Sequence, residues 1–134
     1  MNEAYKEVGV FTEKIVLLLN LPVPANTEIF LSESTIKHIN KRHPDVNEFI
    51  SRISNILHKP DYVGYSKRKK TVDFIVTDDI RLRVPVRPSK DGIHFVRSLF
   101  KLHKRDFERL KRNKSIIPVI VEEKKTGNKP VFFM

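Results

Sequence analysis

Two histidines and an arginine crowd one short stretch of this chain, His38-Ile39-Asn40-Lys41-Arg42-His43-Pro44. His38 and Arg42 are four residues apart, so a helix makes them neighbours on one face. His43 falls on the side of Ile36 and Ile39, just before a proline that must end the helix. Imidazole is suited to moving a proton near neutral pH, and a guanidinium beside it can stabilise a developing anion. Metal-independent phosphodiester cleavage asks for that set: a base for a 2′-hydroxyl, an acid for the leaving 5′-oxygen and a cation for the charge on phosphorus. His38 and His43 are therefore candidate acid–base residues. The plainer reading of His43 is a helix C-terminal residue favoured by the dipole.

A second cluster is made of guanidinium groups. Arg81, Arg83 and Arg87 alternate with Leu82, Val84 and Val86. In a strand, Arg81 and Arg83 would stand about 7 Å apart on one face, near the phosphate spacing of an extended nucleic acid. The alternative is a face whose arginines serve solubility. Arg97 and Ser98 follow an apolar run, where Arg97 could hold a scissile phosphate and Ser98 could orient it, or Ser98 could merely fill a strand end. Lys67-Arg68-Lys69-Lys70 forms a basic turn and joins Arg42, Arg81, Arg83 and Arg87 as candidate RNA-backbone contacts. No histidine pair has zinc spacing, no carboxylates cluster for magnesium, and no glycine-rich phosphate loop occurs, so neither metal nor cofactor is expected.

Charge points the same way. The net charge is +10, and residues 37–114 carry 21 Lys and Arg against nine acids. Positive charge so concentrated favours polyanions, nucleic acid first and an anionic membrane second. There is no cysteine, so disulfides and thiolate metal sites are excluded. No secretion signal is recognisable at the start, and the longest apolar run, Ile15 to Leu19, is far short of a membrane span. A cytoplasmic location without membrane association is expected.

The elements that must carry these groups can be read from periodicity. With 134 residues the chain suits one domain. Val8-Gly9-Val10 is strand-like, Thr12 is an N-cap for a short helix, and Glu28 to Leu31 is a brief strand. Ser32 or Ser34 caps a helix ending near Arg42. Val46, Phe49, Ile50, Ile53, Ile56 and Leu57 form an apolar stripe that predicts one further helix. The period then changes to two. Tyr62–Tyr65, Val72–Val76, Ile80–Val86 and Ile93–Leu102 read as successive hairpin strands, followed by a charged helix over His103–Asn113. Ile116–Val121 and Val131–Phe133 suggest a terminal hairpin, with Pro118 and Pro130 confining its strands to an edge. Helices first and a meander afterwards give an α+β expectation: N-terminal helices packed on one face of an antiparallel sheet of about four strands, with a C-terminal helix and hairpin added.

Three segments also resemble a known family. Ser34 to Pro44 is similar to the "HI..RHP" helix end of the phage-associated barnase–EndoU–colicin–RelE-like (PBECR) nuclease domains. Ile56-Leu57-His58-Lys59-Pro60-Asp61-Tyr62-Val63-Gly64 resembles that family's "I..NPDYIG" step, with His58 and Lys59 as departures, and Phe95-Val96-Arg97-Ser98-Leu99-Phe100 resembles its last core strand. The likeness covers about residues 8–112 and leaves out the 115–134 extension. It implies a BECR (RelE–barnase-like) fold and a metal-independent ribonuclease or tRNA-cleaving activity. His38, His43 and Ser98, with Arg97 beside them, are the implied active-site positions. It further implies a toxin-like or phage and mobile-element nuclease, with an immunity or antitoxin protein as partner.

The expectation is thus an RNA-binding endoribonuclease that uses 2′-hydroxyl attack. Two rivals stay open. One is a non-catalytic RNA-binding module on the same fold. The other is a phage or mobile-element interaction protein that pairs strands through its terminal hairpin.

Overall fold

A computed structural model describes residues 4–120. The chain enters through β1 (Tyr5–Phe11) and α1 (Glu13–Leu19), and the Thr12 side chain accepts a hydrogen bond from the Ile15 amide at 3.3 Å, as an N-cap should. Asn20, in the left-handed conformation, closes α1. Then come β2 (Thr27–Ser32) and α2 (Glu33–Arg42), the latter capped by Ser32 through the Thr35 amide.

The apolar stripe from Val46 to Leu57 is not one α-helix. A 3₁₀ helix runs over Pro44–Arg52 and passes into α3 (Ile53–His58). Val46, Ile53, Ile56 and Leu57 are all buried, so the stripe predicted the buried side correctly while the tighter winding changed the helix type.

The strands that follow are β3 (Tyr62–Ser66), β4 (Thr71–Thr77), β5 (Arg81–Pro88), β6 (His94–Val96) and β7 (Phe100–Lys101), then α4 (Lys104–Arg112) and β8 (Ile117–Pro118). The antiparallel hairpins β3–β4 and β4–β5 are as expected. Two features correct the expectation. The described residues hold a sheet of eight strands, not about four, in the order β1-β2-β6-β5-β4-β3-β8 with β7 on β5. It is also mixed, because β2 runs parallel to β6, pairing Ile29 with His94 and Phe30 with Phe95. That junction joins strands far apart in sequence, so no turn motif announces it.

The Ile93–Leu102 segment is interrupted too. Residues 97–99 leave the ladder between β6 and β7, although the Arg97 amide still donates to the Pro85 carbonyl at 2.8 Å. β8 pairs β3 at the sheet edge, where Pro118 costs no ladder bond. The rest of the expected terminal hairpin lies outside the described residues.

Both sheet faces are used. Val72, Phe74, Val76, Leu82, Val84 and Val86 point into the main core, which also holds Ile39, Val46, Ile53, Ile56 and Leu57 from the N-terminal helical segments. Ile75 points the other way, into a smaller cluster with Leu102, Phe107 and Ile116. α4 therefore covers part of the second face, which the sequence reading left bare. The part it does not cover carries Arg83 and Arg87 of β5.

Candidate nucleic-acid interface

β5 separates its side chains as the alternation demands. Leu82, Val84 and Val86 are fully buried on one side, while Arg83, Pro85 and Arg87 line a cleft of about 580 Å³ on the other. Lys69 from the β3–β4 turn and Arg97 from the β6–β7 link complete the cationic lining. Asp73 on β4 is the one acid among the lining residues. Four cations facing a single carboxylate leave an excess positive charge in a confined space, and such a cleft concentrates a polyanion.

The carboxylate is already engaged. Arg83 Nη2 donates to Asp73 Oδ2 at 2.9 Å, with the two side chains only 25% and 13% exposed. Asp73 thus fixes the guanidinium at the cleft floor more than it lowers the attraction for phosphate. Among the described residues, neither Arg87 nor Arg97 forms an ion pair with a carboxylate. Arg97 is held more loosely, by a hydrogen bond of 3.3 Å to the Pro88 carbonyl.

One wall of the cleft depends on a missing Cβ. Leu110 and Ser115, at the end of α4 and just beyond, close it against β3. At Gly64 a Cβ atom would lie 2.1 Å from the Ser115 carbonyl oxygen. Only glycine lets that segment approach so closely.

Phe100 links the cleft to the histidines. It lines the cleft and also a smaller neighbouring recess of about 400 Å³ that contains His43, Arg83, Lys101 and His103. The His43 ring stacks on Phe100 at 5.5 Å between centroids, tilted by 30°. His38 meets His43 edge to face at 5.8 Å. His43 is half-buried, whereas His38 is exposed and reaches the recess only through its neighbour. α2 is held at both ends of this arrangement. Near its start the buried Ser32–Thr35 hydroxyl pair is tied to β6, with Thr35 Oγ1 donating to the Val96 carbonyl at 3.2 Å. At its end His43 lies against Phe100.

Several expected contacts sit elsewhere. Ser98 is 8% exposed, and its Oγ is buried without a hydrogen-bond partner among the described residues, so this hydroxyl is not on the cleft surface. Arg81 donates from Nε to the Leu102 carbonyl at 3.0 Å and lies over the Phe107 ring under α4, apart from the cleft lining. The basic turn is divided: Lys69 lines the cleft, while Lys67 and Lys70 line a separate depression on the other side, and Arg68 is exposed. Arg42 is exposed at the end of α2.

Sequence reasoning passed over Asp73 and set His103 aside as the start of a charged helix. A signal for Asp73 existed, because it holds an outward position in β4 beside the arginine face of β5. In the structure His103 takes the N-cap position of α4 without a side-chain capping hydrogen bond. No three His, Asp or Glu residues cluster as metal ligands among the described residues, and none of the helices there is long and apolar enough to cross a membrane.

No curated protein and no solved structure matches the chain. Over residues 6–109, however, the sequence matches the profile of PBECR3, described as phage-Barnase-EndoU-ColicinE5/D-RelE like nuclease3, and the chain belongs to that nuclease-like family.

Proposed function

We propose that this protein is a metal-independent endoribonuclease whose substrate backbone lies in the β5 cleft. The observation that carries the reading is the convergence of Lys69, Arg83, Arg87 and Arg97 on one concave surface ending at Phe100, with His43 stacked against that ring. Lys69, Arg87 and Arg97 hold flanking phosphates. Arg83, fixed by Asp73, stabilises the charge that develops on the scissile phosphate. His43 transfers a proton at the reacting phosphate, and His38 supports its ring from behind. Cleavage proceeds by attack of the 2′-hydroxyl on phosphorus, breaking the bond to the 5′-oxygen and leaving a 2′,3′-cyclic phosphate and a 5′-hydroxyl. Ser98 has no part in this assignment, because its hydroxyl is buried. RNA, tRNA included, is the proposed partner, and an immunity or antitoxin protein in the host cytoplasm is a proposed second one.

The test is incubation of the pure protein with total tRNA and with a defined single-stranded RNA in excess EDTA, followed by gel analysis and end-group chemistry. The expected result is fragments with 2′,3′-cyclic ends, with cleavage by His43→Ala slower by about 10²-fold or more. Undiminished cleavage by the His38→Ala, His43→Ala double variant would remove the histidine assignment. Tight binding with no cleavage by the wild type would identify the non-catalytic RNA-binding module instead.

A further inference from the structure

On the opposite side of the β3–β4 turn from the cleft lies a depression of about 350 Å³. Its size is that of a small-ligand site. Its floor is apolar, built by Phe11 and Val72, and Leu21 and Val23 of the α1–β2 connector form a wall. Tyr65 and His94 contribute ring surfaces, and Lys67 and Lys70 also line it, with no acid in the lining.

We infer that this slot receives one unpaired nucleobase of the bound RNA, with its adjoining phosphates on Lys67 and Lys70. The inference rests on the RNA reading given above and adds a second binding site to it. Three observations support it. First, an apolar floor with half-buried rings and lysines but no carboxylate matches a flat aromatic ligand joined to negative charge, the pattern that single-strand binders use. Second, the slot and the cleft lie on either side of the β3–β4 turn: Tyr65 lines both, and the turn presents Lys69 to one and Lys67 and Lys70 to the other. A strand crossing this ridge keeps cationic contacts throughout.

Third, His94 supplies a polar anchor. Its ring packs edge to face on Phe11 at 5.1 Å, and its Nδ1 is buried with no hydrogen-bond partner among the described residues. A proton on that nitrogen would be a buried donor without an acceptor, which is costly. In the proposed complex the neutral ring carries its proton on Nε2 and donates it to a base heteroatom.

The test uses the full chain and fluorescence anisotropy at fixed ionic strength. A labelled six-nucleotide RNA with 2′-O-methyl riboses, which lack the attacking hydroxyl and so stay intact, is compared with the same 2′-O-methyl ribose-phosphate chain lacking all bases. The expected result is about tenfold or tighter binding of the base-bearing strand. Val23→Trp, which fills the slot, should reduce that preference to within about twofold and leave affinity for the abasic strand unchanged. A second measurement needs no variant: 2-aminopurine in the strand should lose fluorescence on binding to the wild type, as a stacked base does. Equal affinity for the two strands, no quenching, or a preference that survives in a folded Val23→Trp protein would overturn the slot while leaving the RNA reading intact. Failure of both strands to bind would overturn both.

Discussion

His43 and Arg83 share one aromatic ring: the imidazole stacks on Phe100 at 5.5 Å, and the guanidinium carbon lies 5.7 Å from the same centroid. An imidazole at the end of α2 and a guanidinium on β5 thereby meet the same ring of β7. Phe100 is the structural reason that the histidine-bearing helix end and the arginine strand face one recess.

Arg87 and Arg97 should act on RNA as point charges on the backbone. Each changed to Ala should weaken binding of every RNA sequence alike, and should reduce the slope of log K against log salt by about 0.7–1. Titrations at four salt concentrations measure this. An unchanged slope in both variants would show that the phosphates lie elsewhere.

Ser98→Ala removes a hydroxyl whose oxygen is buried without a partner among the described residues. Stability should stay within about 0.5 kcal/mol of the wild type or rise, because no hydrogen bond is lost and a desolvated polar atom is removed. RNA cleavage should be unaffected. Urea unfolding together with a cleavage assay checks both; a large loss of activity in a stable variant would return Ser98 to the reaction.

Gly64→Ala should push the Ser115 carbonyl away from β3, since the new Cβ would sit 2.1 Å from it. Backbone cannot yield as a side-chain tip does, so a loss of about 1–3 kcal/mol is expected. Leu110 and Ser115 form the adjacent cleft wall, so RNA affinity should fall as well. Unfolding midpoints and anisotropy, measured on the same preparation, separate the two effects.

Burial holds the pKa of His94 below its ordinary value of 6.5. The folded protein therefore keeps His94 neutral where the unfolded chain takes up a proton. Its contribution to stability is fully present above about pH 6.5 and is lost as pH falls towards the folded-state value, with a slope of at most about 1.4 kcal/mol per pH unit. In His94→Gln that part of the slope should vanish. Parallel stability–pH curves for the two proteins would contradict it.

Part of this was legible because it is local. The alternation Arg81-Leu82-Arg83-Val84 with Val86-Arg87 stated that β5 has an apolar and a cationic face, and the structure keeps both. Thr12 announced its helix, and Ser32 or Ser34 the next, through side chains that can accept from nearby amides; the structure selects Ser32. The apolar stripe from Val46 to Leu57 identified what is buried but not the winding, because a 3₁₀ turn can bury much the same residues as an α turn. Ser98 was misleading for a related reason. A serine at a strand break carries no mark of which way its hydroxyl points, and here it points inward.

The sequence by itself determined the charge, the alternating strands, the helix caps and the presence of two histidines before Pro44, since each depends on neighbours a few residues away. Only the tertiary structure decided which groups meet. The parallel β2–β6 pairing, the seating of α4 over Ile75, and the contact of His43 with Phe100 join residues tens of positions apart. Such contacts are selected by how whole faces bury together, and no short stretch of sequence encodes that choice.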